Sequence, residues 1–220
     1  MNKVKDGVAR FNKDIYPRHR ELFERLSQGQ DPEVLFITCS DSRIDTNLIT
    51  QTQPGDLFIV RNAGNIVPPH SPGSSDVGTV ASIEFAVGAL KTQEIIVCGH
   101  TDCGAMKGAL NPEMLEGLPH VCDWLKHSHA ALQITKDHHS NLTKTDKLNK
   151  LIEENVISQL THLRTYPFIA SQLRAKKVNL HGWVYDIRSG QITEYNEETG
   201  QFEPLSASAA LKIQPNTTAA

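Results

Sequence analysis

The stretch Cys39-Ser40-Asp41-Ser42-Arg43 directly follows the apolar run Val34-Leu35-Phe36-Ile37-Thr38. A second polar stretch, His100-Thr101-Asp102-Cys103, follows the run Glu94-Ile95-Ile96-Val97-Cys98 after one glycine. Both runs are short, apolar and rich in β-branched residues, which is typical of strands buried on both faces of a parallel sheet. Because ligands bind at the carboxyl ends of such strands, the sequence predicts an α/β fold whose functional site is built from the two polar stretches.

Two cysteines and one histidine in these stretches form a candidate metal site. Thiolate and imidazole ligands suit zinc, and three protein ligands leave its fourth position open, as in catalytic sites. Zinc lowers the pKa of a bound water from ~15.7 to about 7, which supplies a nucleophile at neutral pH. His100 and Cys103 are three residues apart, so we expect them to share one face of a first helical turn, with Cys39 on another strand.

An acidic and a basic side chain follow Cys39 closely. Asp41 is two residues from Cys39 and can either accept a hydrogen bond from the zinc water or bind zinc as a fourth ligand. A bidentate pair with Arg43 would keep the carboxylate ionised and direct it at the water. The alternating spacing predicts that Asp41 and Arg43 lie on the same side of an extended loop.

Other uses of these cysteines fit the sequence less well. A thiol phosphatase loop, Cys-(x)5-Arg, would need arginine where the chain has Asp45, and no Cys-x-x-Cys redox motif is present. A structural zinc site would need a fourth ligand, and Cys98 lies within the predicted strand. Either half of the site alone is weak evidence for a metal, because buried cysteines are usually small hydrophobic residues; both halves together favour one.

Together, these motifs resemble those of the β-class carbonic anhydrases. The resemblance rests on Cys39-Ser-Asp-Ser-Arg43, Arg61-Asn-Ala-Gly-Asn65 and Cys98-Gly-His-Thr-Asp-Cys-Gly-Ala-Met-Lys107, and it extends to about Leu205. His181-Gly-Trp-Val-Tyr-Asp186 is also similar to the carbonic anhydrases of bacterial cyanate operons. The resemblance implies zinc on Cys39, His100 and Cys103, an Asp41–Arg43 dyad, and reversible hydration of carbon dioxide to bicarbonate and a proton.

The resemblance also implies a substrate pocket. In plant-type members, a glutamine at the position of Gln30 donates a hydrogen bond to the substrate from the partner subunit. Phe58 and Phe85 occupy positions in the apolar wall of the carbon dioxide pocket. Gly104 has no β-carbon, so a small substrate can approach the metal and the backbone N–H stays available.

A second type within this family closes its site by moving the aspartate, here Asp41, onto zinc. That type has a tryptophan three residues before the zinc cysteine, where this chain has Phe36. Arg61 is retained, and Tyr185 is at the position of the third residue of the associated bicarbonate pocket. The substitution at Phe36 favours the constitutively open type, in which Asp41 is not a zinc ligand.

Length and composition place further limits on the protein. The 220 residues suit one domain, predicted over 1–205 with a helical arm at 1–28, followed by a loose tail at 206–220. The net charge of −3 indicates neither nucleic acid nor a membrane surface as a partner. Four cysteines without a disulfide pattern, and no signal-like or membrane-spanning run, predict a cytoplasmic protein.

The arm and the rest of the chain show clear periodicities. Apolar residues recur at helical spacing over 4–27, and the arm can pack either on a neighbouring subunit or on its own domain. The Gln30 contribution predicts a homodimer or a larger homo-oligomer built from dimers. Further helices are predicted over 79–90, 119–139, 143–163 and 166–176, and further strands over 57–60, 178–186 and 191–195.

Two other function classes remain open from the sequence. One is an inactive zinc-binding scaffold, which the intact Asp41 and Arg43 argue against. The other is a hydrolase that uses the same site on carbon disulfide or carbonyl sulfide, a choice that depends on the shape of the pocket mouth.

Overall fold

The computed structural model describes residues 1–71 and 77–205, so the predicted tail at 206–220 lies outside the described residues. Within the described part, a six-stranded sheet has the order β2-β1-β3-β4-β5-β6. The strands are β1 (Val34–Cys39), β2 (Leu57–Asn62), β3 (Glu94–His100), β4 (Asn179–Tyr185), β5 (Ile192–Asn196) and β6 (Gln201–Pro204). The first three pairings in this order are parallel and the last two antiparallel. The predicted α/β fold with a mostly parallel sheet is confirmed.

Helices precede, connect and cover the strands. They are α1 (Asn2–Arg10), α2 (Arg20–Leu26), α3 (Thr46–Thr50), α4 (Val77–Glu84), α5 (Gly104–Leu110), α6 (Pro119–Leu125), α7 (His129–His138), α8 (Lys144–Thr165) and α9 (Pro167–Arg174). Short 3₁₀ or π turns cover 11–15, 16–19, 85–89, 112–115 and 126–128. No described helix is long and apolar enough to cross a membrane.

The central strands are buried on both faces, as their continuous apolar runs predict. Alternate residues point to opposite sides of the sheet. Leu35 and Ile37 of β1 share one buried cluster with Val156 of α8. Phe36 between them points to the other side, where it belongs to a second cluster that includes Trp183. This two-sided burial holds the carboxyl ends of β1 and β3 side by side.

The N-terminal arm, residues 2–26, has no buried side chain. The helix predicted over 4–27 is interrupted by a 3₁₀ turn that contains Pro17, because proline cannot continue the α-helical hydrogen bonds. Exposed apolar side chains lie three or four residues apart along the first part of the arm: Val4, Val8, Phe11 and Ile15. This spacing forms one exposed apolar stripe, defined by these four residues, of which Phe11 also packs edge to face against Phe23 of the same arm.

A charged triad links β4 to both of its neighbouring strands. His181 Nδ1 lies 2.6 Å from Glu194 Oε1, and its Nε2 lies 2.7 Å from Glu94 Oε2. Hydrogen bonds from both glutamates, that of Glu194 foremost, raise the pKa of His181 to about 9. Since both ring nitrogens face a carboxylate oxygen, the imidazole is held as a doubly donating cation.

We expect this triad to make stability depend on alkaline pH. The raised pKa means that its contribution is complete below the unfolded-state value of about 6.5 and is lost as the pH rises through about 9. The urea unfolding midpoint of the wild type should therefore be lower at pH 9.5 than at pH 6.5. The difference between the two midpoints should be smaller in His181→Gln. An equal fall in both proteins would assign the effect to other groups.

Candidate metal centre

Three potential metal ligands meet at the carboxyl edge of the sheet. Cys39 is the last residue of β1, His100 is the last residue of β3, and Cys103 directly precedes α5. All three are buried, and one ligand atom from each lies within 4.8 Å of the others. The structure thus brings together the three residues that the sequence predicts as ligands.

The connection between His100 and Cys103 differs from the prediction. The expectation of a shared helical turn is wrong, because His100 belongs to the strand and Cys103 has an extended conformation before the helix. Asp102 between them adopts the left-handed conformation, with φ of 61°. The chain therefore reverses in a tight turn, and this turn brings the Cys103 sulfur back towards the imidazole.

The imidazole of His100 is arranged as a metal ligand. Its Nδ1 lies 2.9 Å from the carbonyl oxygen of Thr101, to which a protonated Nδ1 donates. This hydrogen bond leaves the Nε2 lone pair free, the usual arrangement in metal-binding histidines. Nε2 is buried and has no hydrogen-bond partner among the described residues. A buried polar atom without a partner is costly, and a metal ion at this position would satisfy it.

The two thiols are electrostatically coupled. Hydrogen bonding from Cys103 foremost, together with the Gly64 N–H, lowers the pKa of Cys39 to about 4 despite burial. The pKa of Cys103 is raised, because it shares its proton with the Cys39 thiolate and is itself buried. A divalent cation would replace that proton and stabilise both thiolates, so this donor set fits zinc.

Asp41 and Arg43 form a bidentate pair beside the ligands. Arg43 Nε donates to Asp41 Oδ1 at 2.9 Å, and Nη2 donates to Oδ2 at 2.7 Å. These hydrogen bonds hold the pKa of Asp41 well below its usual range. Asp41 Oδ2 lies 3.9 Å from His100 Nε2, so the ionised carboxylate faces the position where the metal would lie.

The loop that carries this pair is not extended. The Arg43 N–H donates to Asp41 Oδ1 at 3.0 Å, and the Ile44 N–H donates to the Asp41 carbonyl oxygen at 3.1 Å. These bonds form a tight turn of the kind in which an aspartate side chain caps its own following backbone. The prediction of an extended loop is wrong, although the two side chains do meet.

The segment after β2 supports the ligand loop. Arg61 donates from Nε to the Cys39 carbonyl oxygen at 3.1 Å and from Nη2 to the Asp41 carbonyl oxygen at 2.7 Å. The Gly64 N–H lies 3.4 Å from the Cys39 sulfur. Gly64 has φ of 82°, and a β-carbon there would come within 3.0 Å of Met106 Cε. Glycine is therefore needed for this backbone to approach the thiolate.

Of the predicted substrate residues, Gly104 lies next to the ligands. It is the first residue of α5, directly after Cys103. A β-carbon at this position would meet no protein atom within 4 Å. Since the backbone is not in the left-handed region and no neighbour requires a glycine here, the open space beside Gly104 faces outward from the packed protein.

The other predicted substrate residues lie away from the ligands of the same chain. Gln30 precedes β1, and the distance along that strand from Val34 to Cys39 is roughly 17 Å. Phe58 pairs with Leu35 near the amino end of the same strand, and its ring lies 6.1 Å from that of Phe85. Phe85 is 49% exposed. Gln30, Phe58 and Phe85 therefore form no pocket wall at the metal centre within one chain.

The remaining residues linked to regulation are also placed. Phe36 is fully buried, with its ring centroid 6.0 Å from that of Trp183. Tyr185 pairs with His100 across β3 and β4, and its carbonyl oxygen accepts a hydrogen bond from the Thr101 N–H at 2.9 Å. Phe36 thus fills an apolar position and offers no hydrogen-bond donor there.

The sequence alone indicates no role for two charged residues at this edge, Asp102 and Lys107. Asp102 accepts a hydrogen bond from Arg43 Nη1 at 2.9 Å and pairs with Lys107. The only sequence signal was the presence of an aspartate inside the His-x-x-Cys spacing, because its arginine partner is 59 residues away.

The known proteins to which this chain is similar are carbonic anhydrases. A family model described as carbonic anhydrase matches residues 34–192. A carbonic anhydrase from Synechocystis sp. is 47% identical over 197 residues, which cover 89% of this chain and 71% of the relative. The solved structure of the β-carbonic anhydrase CcaA has a TM-score of 0.90 at 45% identity and covers 93% of this chain and 99% of its own. A structure from a study of two tetrameric β-carbonic anhydrases of Sordaria macrospora has a TM-score of 0.78 at 30% identity, with coverage of 88% and 97%.

Proposed function

The chain belongs to the β-class carbonic anhydrase family and catalyses the reversible hydration of carbon dioxide, and we propose that Cys39, His100 and Cys103 hold zinc for this reaction. The observation that carries the proposal is the meeting of two thiols and an unpartnered imidazole nitrogen within 4.8 Å. When bound, zinc supplies the chemistry of the reaction by lowering the pKa of a water to about 7.

In this proposal, the Asp41–Arg43 pair orients the reacting water. The Asp41 carboxylate stays ionised because Arg43 holds both of its oxygens, so it acts as a hydrogen-bond acceptor near the ligands. An acceptor fixed in this position favours an attacking oxygen that still has a proton to donate. Because the pair is intact, an inactive zinc-binding scaffold has no support from the geometry.

The proposed site is of the open type. The Phe36 side chain has no hydrogen-bond donor, and Arg61 already donates to the carbonyl oxygens of Cys39 and Asp41. A bicarbonate pocket at these positions would therefore lack one donor. Asp41 then reaches the metal only if Arg43 releases it.

Metal analysis combined with a hydration assay tests the proposed zinc site. Purified protein should contain about one zinc per chain, the stoichiometry of a single three-ligand site. Removing the metal with a chelator should abolish carbon dioxide hydration, and adding zinc back should restore it, with a mock-treated sample as the control. Full hydration activity in protein shown to be free of metal would refute the zinc site.

We further propose a homodimer, or a homo-oligomer built from dimers, in which the N-terminal arm covers a second subunit. The apolar stripe of the arm is exposed within one chain, and Gln30 lies at the far end of β1 from the ligands of its own chain. A partner that buries the stripe would allow Gln30 of the partner subunit, with Phe58 and Phe85, to complete the substrate pocket. The similar β-carbonic anhydrases of Sordaria macrospora are tetrameric, which supports this proposed assembly.

Charges introduced into the apolar stripe test the assembly. The double variant Val8→Glu, Phe11→Glu should sediment as a monomer, because burying unpaired carboxylates is costly. Its hydration rate should fall on the order of 10²-fold, as expected when a preorganised donor such as Gln30 is removed. Lys13→Glu, on the opposite side of the arm, is the matched control. A stable wild-type monomer with full activity would contradict the assembly.

We also propose that the protein acts in the cytoplasm and is related to the cyanate-operon type. All four cysteines are free, and three of them are buried. Free thiols suit a reducing compartment. The His181–Asp186 motif supports the relationship to the cyanate-operon enzymes.

A further inference from the structure

We infer that Asp102 is a positioning residue that fixes Arg43, and through Arg43 the carboxylate of Asp41, in the orientation that carbon dioxide hydration needs. This inference rests on the proposed function, because it assigns Asp102 a role through the Asp41–Arg43 pair. The Asp102 carboxylate contacts Arg43 and Lys107.

The guanidinium of Arg43 is held between two aspartates. Towards the ligands, Nε and Nη2 donate to Asp41. Away from them, Nη1 donates to Asp102 Oδ2 at 2.9 Å, and Nη2 also donates to the Asp102 carbonyl oxygen at 3.2 Å. All three guanidinium nitrogens are therefore engaged, and the plane of the group is fixed from both sides.

The contact of Arg43 with Asp102 matters because its contact with Asp41 lies within a single turn of the chain. Arg43 and Asp41 are two residues apart in one turn, so on their own they can move together. The Arg43 side chain is 42% exposed, so burial alone does not fix its orientation. Asp102 lies on the turn after β3, so its contact ties the pair to a different strand.

Asp102 is itself held in place. Its other carboxylate oxygen, Oδ1, pairs with Lys107 on α5. The preceding residue fixes the turn, since the Thr101 N–H donates to the Tyr185 carbonyl oxygen at 2.9 Å and its hydroxyl donates to Asp186 at 3.1 Å. Asp102 has φ of 61°, a conformation that aspartate and asparagine tolerate better than most residues. The carboxylate is thus presented to Arg43 from a rigid frame.

Lys107 also resolves a conflict of charge. A second carboxylate beside Arg43 would otherwise compete with Asp41 for the guanidinium. With Lys107 on Oδ1, the four groups alternate in sign from the metal centre outward: Asp41, Arg43, Asp102 and Lys107. Asp102 can therefore orient Arg43 without drawing it away from Asp41.

The exposure of these groups argues for positioning rather than stability. The Asp102 side chain is 55% exposed, and exposed ion pairs contribute little to the free energy of unfolding. Groups that orient the residues around a metal have larger effects on function, typically 10–100-fold.

Two substitutions of Asp102 distinguish the effect of its backbone conformation from the effect of its carboxylate. Asp102→Gly keeps the left-handed turn but removes the side chain, and Asp102→Asn keeps an oxygen acceptor for Arg43. We expect kcat/KM to fall ~10-fold in the glycine variant and by less in the asparagine variant, with both melting temperatures close to that of the wild type. Equal activity of the glycine variant and the wild type would overturn the inference.

A double-mutant cycle tests whether the effect passes through Arg43. In an Arg43→Ala background, Asp102→Gly should cause no further loss, because the group it positions is absent. An additional ~10-fold loss in that background would show that Asp102 acts independently of Arg43. If Arg43→Ala alone is fully active, the proposed dyad is wrong instead, so the two failures can be told apart.

A spectroscopic measurement adds a readout that does not depend on turnover. The cobalt-substituted Asp102→Gly protein should shift in its visible spectrum towards that of Arg43→Ala, because Asp41 is released in both. A wild-type spectrum in Asp102→Gly would overturn the inference. If the glycine variant fails to fold, Lys107→Met, which frees Asp102, should shift in the same direction. Lys126→Met, which breaks an exposed pair with Asp123 elsewhere, is its control; equal spectra for these two variants would count against the inference.

Discussion

Replacing Cys103 with alanine is expected to remove zinc and carbon dioxide hydration together. Cys39 and His100 would remain as only two ligands. Cys39 would also lose the hydrogen bond from Cys103 that lowers its pKa. Because the metal supplies the nucleophile, the loss should approach the whole enzymatic acceleration, on the order of 10⁶-fold or more. Zinc content and hydration rate should be measured on the same preparation.

An exposed cysteine provides the control for that substitution. Cys122 lies outside the metal centre, so Cys122→Ala should keep both zinc and activity. A Cys103→Ala protein that retains one zinc per chain would show that the ligand assignment is wrong.

The second large effect is expected when either residue of the Asp41–Arg43 dyad is replaced. The physical cause differs between the two substitutions. Arg43→Ala frees Asp41, whose Oδ2 already lies 3.9 Å from the His100 ligand atom, to become a fourth metal ligand. The zinc would stay bound but inaccessible to substrate. Asp41→Asn instead leaves the fourth position open, since an amide is a poorer zinc ligand, and removes the ionised acceptor. Its turnover should fall roughly 10²–10⁴-fold.

Zinc-edge X-ray absorption distinguishes the two outcomes. Arg43→Ala should show four protein ligands, and Asp41→Asn should show three with one water. An open, water-bound zinc in Arg43→Ala, or near-normal turnover in Asp41→Asn, would disprove these roles of Asp41 and Arg43. Because the two variants remove opposite charges from one pair, each serves as the other's control.

The sequence predicts the frame of this protein well because the frame depends on local patterns. Runs such as Val34–Thr38 encode strands buried on both faces, and their order along the chain places polar residues at one edge. The helix predicted over 119–139 divides at 126–128, a local break with no glycine or proline to signal it. The short edge strand Gln201–Pro204 was not predicted, since most of its residues are exposed and carry little apolar alternation.

The details of the metal centre depend on contacts between distant residues. The turn at Asp102 has an unfavourable backbone conformation for most residues and is supported by Arg43 and Lys107. No local sequence pattern around His100 indicates the contacts with Arg43 and Lys107, so the His-x-x-Cys spacing alone favours a helical turn. The position of Gln30 relative to the ligands likewise follows from the length of β1 in three dimensions.

The adjacency of β1 and β3 has a consequence for folding. These strands are hydrogen-bonded neighbours, yet Thr38 and Cys98, whose hydroxyl and carbonyl groups meet across them, are 60 residues apart in the chain. Pairings between distant segments form slowly, because closing the intervening loop costs entropy before the contacts form. The ligands on the two strands come together only once this pairing exists. The zinc proposed for this site would therefore bind after these strands have paired, and its binding energy would stabilise the folded chain rather than direct the early steps of folding.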